Sequence, residues 1–220
     1  MKRITTVGSR GSRLAMTQTR AVIKLLGLDI GIKKIKTRGD KITDVALAKV
    51  EGKGFFTKEI DIALIEGKID FAVHSYKDVP TDLPMELIIA CVPKREVPND
   101  AIISKYGSLV DLPQESKIGT SSLRRQAQIR HSRPDLKIMD LRGNLDTRIR
   151  KLDEGQYDAI VLAAAGLKRL GYSNYNAIEL SNFIPAAGQG ALAIISRRND
   201  SEILNLLGKI NDPNSMRECE

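Results

Sequence analysis

The chain has 220 residues, long for one compact domain and short for three, and its 42% apolar residues suffice to bury a real core, which excludes intrinsic disorder. Lys and Arg number 35 against 27 Asp and Glu, a formal net charge of +8, yet there is no Trp and only 4% of residues are aromatic. A surface that stacks bases is therefore not expected, and the basic character points instead to an anionic small molecule. The longest nearly apolar run, residues 159–167, is far too short to span a membrane, and the first residues, MKRITTVGSRGS, lack the apolar region of a signal peptide, so a cytosolic protein is expected. Cys91 and Cys219 stand alone, without the Cys and His clusters of a zinc site or a disulfide framework, and no metal is expected.

Residues 4–9 read as a strand and residues 14–26 as a helix, with Leu14, Ala21, Val22, Leu25 and Leu26 near one face. Ile30, Ile32 and Ile35 mark an extended segment. Residues 57–66 (TKEIDIALIE) read as a helix with Thr57 as N-cap, and residues 71–75 (FAVHS) as a strand. Between them, residues 39–56 carry Gly39, Gly52 and Gly54 without a convincing period and are a candidate lid. Residues 86–92 are extended. Residues 93–100 (PKREVPND), with two prolines and four charges, read as an interlobe linker. Three β-α units come next: a strand at 117–120 then a helix from Ser122, a strand at 136–141 then a helix from Asn144, and a strand at 159–163 then a helix containing Leu167. After PAAGQG (residues 185–190), a strand at 191–196 and a helix at 201–210 are placed to return to the first lobe. This alternation predicts an α/β protein of two lobes, each a mostly parallel sheet flanked by helices. The expected first lobe is residues 1–93 with 188–212, and the second is 98–184.

In open α/β sheets ligands bind beyond the carboxyl ends of the strands, so the residues just after each predicted strand are the candidates. They are strongly basic: Arg10, Lys77, Arg124, Arg125, Arg142, Arg148 and Arg169, with Thr120, Ser121 and Ser122 among them. Guanidinium groups suit bidentate carboxylate recognition. Arg124 and Arg125 fall in the first turn of a helix capped by Ser121 or Ser122, where the helix dipole disfavours cations, and a local rule broken without structural gain marks an anion site. Asp78, in HSYKDVP, is the lone acid among them and is suited to act as a general acid or to stabilise a cation, unless it merely pairs with Lys77 or caps a turn. His74 reads as a satisfied core histidine and Cys91 as a buried core residue. The Gly52-Lys53-Gly54 triplet lacks the Ser or Thr of a phosphate loop.

Taken together, SRGSRLAMTQ (9–18), TRGD (37–40), LAKVEGKGFFTKE (47–59), AVHSYKDVPT (72–81), GTSSLRRQAQ (119–128), LRGNLDTR (141–148), AGLKRLG (165–171) and PAAGQGAL (185–192) resemble the porphobilinogen deaminase (hydroxymethylbilane synthase) family, across essentially the whole chain and in the family's order. The resemblance implies a transferase of haem-type tetrapyrrole biosynthesis, joining four porphobilinogen molecules head to tail into linear hydroxymethylbilane with loss of ammonia. It implies two lobes like those of type II periplasmic binding proteins, a third small domain, a dipyrromethane cofactor and a monomer. By resemblance Asp78 is the catalytic carboxylate. Arg10, Ser12, Lys77, Thr120, Ser121, Ser122, Arg124, Arg125, Arg142, Arg148 and Arg169 would hold acetate and propionate groups of substrate and cofactor, and Gln189 would lie near the hinge.

The family attaches dipyrromethane to a cysteine in its third domain, and this sequence stops at SMRECE, where residues 213–220 would begin that domain. Neither Cys91 nor Cys219 matches the attachment motif. A fragment, a separate third-domain polypeptide, or a member without the covalent anchor are the alternatives. A non-enzymatic binding protein for carboxylated ligands is the competing reading of the same basic groups, and nucleic-acid binding rests on charge alone.

Overall fold

A computed structural model describes residues 5–37, 39, 57–178 and 181–220. Apart from Gly39, the candidate lid, together with the Gly52-Lys53-Gly54 triplet, lies outside the described residues. The chain divides into two compact units, one made of Met1–Glu96 with Ala191–Glu220 and the other of Val97–Gly190. In chain order the elements are β1 (Thr6–Ser9), α1 (Arg13–Leu26), β2 (Gly31–Lys34), α2 (Lys58–Ile65), β3 (Phe71–Ser75), β4 (Leu87–Cys91), β5 (Asp100–Ser104), β6 (Lys117–Gly119) and α3 (Leu123–Ser132). The remaining elements are β7 (Lys137–Met139), α4 (Leu145–Asp153), β8 (Ala159–Ala163), α5 (Ala164–Arg169), β9 (Asn176–Ala177), β10 (Leu192–Arg197), α6 (Ser201–Gly208) and α7 (Pro213–Arg217).

The first unit is built on a sheet of order β2-β1-β3-β10-β4. β1 runs parallel to β2 and β3, whereas β10 is antiparallel to both of its neighbours, so the sheet is mixed. β3 lies at the centre and four of its five residues are buried, so Phe71, Ala72 and Val73 follow one another without a polar alternation. One face packs Val7, Val22, Phe71, Ile194 and Leu207 together, and the other packs Ile60, Leu64, Ile69, Leu87 and Ile195. Each such fully buried side chain contributes roughly 1.5 to 3 kcal/mol by leaving water.

α1 starts at Ser12, whose hydroxyl accepts from the Ala15 N–H at 3.3 Å, and ends at Gly27, held in the left-handed region at φ 65°. Its buried positions are Met16, Gln18, Thr19 and Val22. The apolar face expected from Leu14 and Leu25 is thus displaced: Leu25 is 59% exposed, and the helix turns two polar side chains inward instead. Those side chains are satisfied by strand ends. Thr19 Oγ1 donates to Ser9 Oγ at 2.8 Å, and Gln18 Nε2 donates to Ser75 Oγ at 2.9 Å.

The second unit has the strand order β7-β6-β8-β5-β9. β6 is parallel to β7 and β8, and β5 is antiparallel to β8 and β9. β5 departs from the sequence reading, in which its first residue, Asp100, ends a linker. The antiparallel register sets Asp100 opposite Ala163, at the carboxyl end of β8. The core gathers Ile102, Ile118, Ile129, Val161 and Phe183 on one side and Leu141, Ile160, Leu162 and Leu167 on the other.

Residues 212–220 pack against the first unit, although chain ends commonly fray. Asp212 caps α7 by accepting from the Ser215 N–H at 2.7 Å, and Ser215 Oγ accepts from the Arg95 N–H at 2.9 Å. Arg95 also pairs with Glu218 at 2.9 Å.

A cavity of about 240 Å³ beside α2 is lined by Thr57, Lys58, Asp61, Ile62, Pro80 and Asp82. Thr57 makes no side-chain cap bond there, contrary to its predicted role. Burial pushes the Asp61 carboxyl up to about 6, Thr57 opposing the shift and Glu59 adding to it. A carboxyl raised in the folded state binds its proton more tightly there, so stability falls as pH rises from the unfolded value towards 6 and the penalty is complete above it. Asp61→Asn is expected to stabilise the protein at pH 7.5 by about 1 to 3 kcal/mol and to have little effect at pH 4, as read from urea unfolding at the two pH values.

Candidate functional site

In the first unit, β1 and β3 end side by side, and the polar residues of α1 tie the two ends together. Arg10 follows β1 directly, and Ser12 opens α1. A single 3₁₀ turn over Tyr76–Asp78 follows β3, anchored by the Tyr76 N–H donating to the Ala191 carbonyl at 3.1 Å and closed by the Val79 N–H on Tyr76 O at 3.0 Å. This turn leaves Lys77 and Asp78 exposed. Among the described residues Asp78 forms no ion pair, with Lys77 or with any other group. Asp78 instead helps line a cavity of about 60 Å³ whose walls also include Arg10, Ser12, Gln18, His74 and Ser75. That volume holds a carboxylate-sized group.

His74 differs from its expected role. The imidazole is buried, but Nε2 has no hydrogen-bond partner, so it is not a satisfied core histidine. Burial, and secondarily the charge of Arg10, push its pKa down to about 4, and the ring is neutral at physiological pH.

In the second unit the residues after β6 and β7 interlock. Thr120 is buried and its hydroxyl accepts from the Ser122 N–H at 3.2 Å. Ser121 exchanges hydrogen bonds with the backbone of Leu141, donating to its carbonyl at 3.1 Å and accepting from its N–H at 3.0 Å. Ser122, not Ser121, is the N-cap of α3, accepting from the Arg125 N–H at 3.5 Å. Gly143, at φ 111°, turns the chain into α4, and an added Cβ would meet Thr147 Cβ at 2.8 Å, so only glycine fits. Asn144 then caps α4 through the Thr147 N–H at 2.9 Å. Arg142 and Arg148 flank this turn, half-buried, and Arg148 Nε donates to the Gly143 carbonyl at 2.8 Å. Arg169, at the end of α5, donates to the Gly190 carbonyl at 2.7 Å.

Asp100 is the residue that sequence reasoning missed. It is fully buried, and Arg125 Nε and Nη2 reach its Oδ1 at 3.0 and 2.6 Å while Arg124 Nη2 reaches Oδ2 at 2.7 Å. Gln189 Nε2 adds a third donor to Oδ1 at 3.0 Å and also bonds the Pro98 carbonyl at 2.6 Å. Arg125 completes its fork on the Val161 carbonyl at 2.9 Å. The two cations in the first turn of α3 therefore do have a structural gain, an internal carboxylate. Arg125, from the strand-end list, and Gln189, expected near the hinge by resemblance, are both buried and both hydrogen-bond Asp100. Arg124 is partly open, its side chain 27% exposed, and also donates to the Ile184 carbonyl. Burial alone would raise the Asp100 carboxyl, but the charges and hydrogen bonds of Arg125 and Arg124 together outweigh it and hold it below the ordinary range. The missed signal is the arginine pair itself: two cations where a helix disfavours them require an acid, and Asp100 opens the apolar run AII.

Two mixed α/β sheets, each with polar and basic side chains beyond its strand ends, define the architecture of type II periplasmic binding proteins. The chain is similar in fold to the methionine-binding protein MetQ, with a TM-score of 0.55 at 16% identity over 97% of this chain and 92% of that one. It is likewise similar to a substrate-binding domain of an amino acid ABC transporter from Streptococcus pneumoniae, with a TM-score of 0.56 at 14% identity over 98% and 96% of the two chains. The sequence carries the finer assignment. Residues 5–205 match the family described as porphobilinogen deaminase, dipyromethane cofactor binding domain. Porphobilinogen deaminases of Roseiflexus castenholzii and Staphylococcus carnosus are 47% and 50% identical, each over 97% of this chain and over 73% and 72% of their own lengths. That of Bacillus thuringiensis is 53% identical over 94% of this chain and 70% of its own. The chain belongs to the porphobilinogen deaminase family, the hydroxymethylbilane synthase transferases of tetrapyrrole biosynthesis, whose cofactor is dipyrromethane. Among the described residues no cluster of His, Cys, Asp or Glu could hold a metal ion, and no helix is long and apolar enough to cross a membrane.

Proposed function

We propose that this chain condenses porphobilinogen head to tail towards hydroxymethylbilane, with Asp78 as the catalytic carboxylate. The observation that carries the reading is the placement of Asp78, unpaired at the rim of the cavity that Arg10, Ser12 and His74 line. Loss of ammonia from the aminomethyl group leaves positive charge on the pyrrole, and a carboxylate held at the ring nitrogen stabilises that charge as it develops. Arg10, Ser12 and Lys77 in the first unit, and Thr120, Ser121, Ser122, Arg124, Arg142, Arg148 and Arg169 in the second, serve the acetate and propionate groups. Arg125 and Gln189 act one step back, by fixing Asp100 and with it the first turn of α3.

Dipyrromethane suits the same donor set, because the cavity of the first unit is lined by Arg10 and by His74, whose Nε2 has no hydrogen-bond partner. When bound, the group supplies the pyrrole carbon to which substrate is joined. Neither thiol within these 220 residues is proposed as its anchor. Cys91 is fully buried and its pKa is pushed up to about 12 by burial; Cys219 is part-buried and raised for the same main reason. A thiol so raised is a poor nucleophile. The anchor is proposed to come from a third-domain segment outside these residues, in the same or a separate polypeptide, and the protein is proposed to be monomeric and cytosolic. The test is incubation with porphobilinogen, with and without a third-domain polypeptide, scoring released ammonia and linear tetrapyrrole. The double variant Cys91→Ser, Cys219→Ser is expected to match the parent in both. Loss of a dipyrromethane mass increment in Cys219→Ser would refute this placement of the anchor, and ligand binding without turnover in every arm would favour the non-enzymatic reading.

A further inference from the structure

His74 has a polar atom that the fold leaves unsatisfied. Its backbone is fixed in β3, opposite Ala193 of β10, and the residue is 5% exposed, yet Nε2 finds no partner. A buried nitrogen without a partner costs free energy, and such exceptions call for an explanation. The sheet offers none, because an apolar ring of the same size would fill the position without the penalty. The cavity does offer one: His74 forms its wall together with Arg10, Ser12 and Asp78. Arg10 lies close enough for its charge to act on the imidazole, so a group entering beside His74 meets a cation as well. An anion is favoured at that spot and a second cation is not.

We propose that His74 is a ligand-binding residue, a neutral imidazole whose Nε2–H donates to a carboxylate of the pyrrole ligand that is paired at the same time with Arg10. The inference rests on the reading that the ligands are carboxylated pyrroles and adds to it a donor that carries no charge. The neutral ring serves there because a second full positive charge beside Arg10 would repel it, whereas a neutral donor completes the anion's hydrogen bonds. A neutral group also leaves the negative charge of Asp78, on the rim of the same cavity, unpaired for the pyrrole nitrogens.

The test uses the 220-residue chain labelled with ¹⁵N-histidine and carrying His131→Gln, which removes the exposed imidazole of α3 and leaves His74 as the single reporter. Porphobilinogen is expected to shift the Nε2 resonance, saturating at the concentration that calorimetry gives for binding, and acetate is expected to shift it in the same direction at higher concentration. His74→Phe is expected to bind porphobilinogen about 10- to 100-fold more weakly while melting at the same or a higher temperature, since removal of an unpaired buried nitrogen does not destabilise. His74→Gln, which keeps an N–H donor, is expected to recover most of the affinity. A merely structural histidine would give the reverse, a lowered melting temperature with unchanged affinity. Porphobilinogen binding with the Nε2 resonance unmoved overturns the inference and leaves the functional reading standing. No porphobilinogen binding by the parent chain overturns both.

Discussion

Replacing Asp78 by Asn is expected to lower porphobilinogen turnover by about a thousandfold while leaving the fold and ligand affinity nearly unchanged. The carboxylate ends a 3₁₀ turn that is anchored through the backbone of Tyr76 and Val79, so the side chain itself bears little of the structure. Asn keeps its shape and loses its charge, and the loss is of electrostatic stabilisation for a cation that exists only on the way to the transition state. Single-turnover release of ammonia, measured beside a thermal melt, checks both halves of the expectation. Near-normal turnover would remove Asp78 from the chemistry, and loss of folding would make it a structural residue.

The first unit is the more legible of the two. Its strands and helices arise from local apolar patterning, and Arg10 and Asp78 stand just past β1 and β3 in the sequence, where a strand-end rule looks for them. That rule works only where a strand's carboxyl end faces the site. β5 runs the other way, so the residue it contributes stands at the start of the strand, in a proline-rich charged stretch that reads as a linker. Asp100 also acts across 25 positions in sequence, on Arg125, and no local period reports a contact of that range. The face of α1 fails for a related reason: Gln18 and Thr19 are turned inward by hydroxyl groups on β1 and β3, partners that hydropathy does not register. His74 does lie in a buried strand, as its apolar neighbours imply, but whether a buried nitrogen has a partner depends on the geometry around it.

Asp100→Asn is expected to be the most destabilising single change in the second unit, at about 3 to 5 kcal/mol. It leaves Arg125 buried with its charge uncompensated and costs Arg124 its ion pair, and breaking one side of a buried pair is worse than never having built it. The pH dependence comes from the depressed carboxyl. Because Asp100 releases its proton more readily folded than unfolded, its contribution is complete above the unfolded value of about 4 and is lost as pH falls through the folded value. The parent should therefore lose stability in acid more steeply than Asp100→Asn, and their unfolding free energies should converge at low pH. Equilibrium urea unfolding from pH 7 downward measures this, with parallel curves at every pH as the contrary result. A double variant, Asp100→Asn with Arg125→Met, should recover part of the loss, because it removes the stranded charge as well.

The sheet of the first unit contains β10, which comes after the whole of the second unit in the chain and, among the described strands, is the one that joins β4 to β3. On the ribosome the order of completion is thus the reverse of the order of the N-termini. When Glu96 has emerged, β4 has no hydrogen-bonding neighbour, and Leu87 and Cys91 have no opposite strand to cover them. Residues 97–190 can close their own sheet while the earlier segment waits, and the unit bearing Asp78 is completed only when Arg197 is free of the exit tunnel. Nascent chains stalled with residue 190 just outside the tunnel should accordingly resist protease across the second unit and be cut within residues 80–96, and extension through Glu220, which adds β10, α6 and α7, should protect both. Of the two units, the one bearing Asp78 is then the later to be completed, and a chain terminated at residue 190 carries the second unit beside an unfinished first sheet.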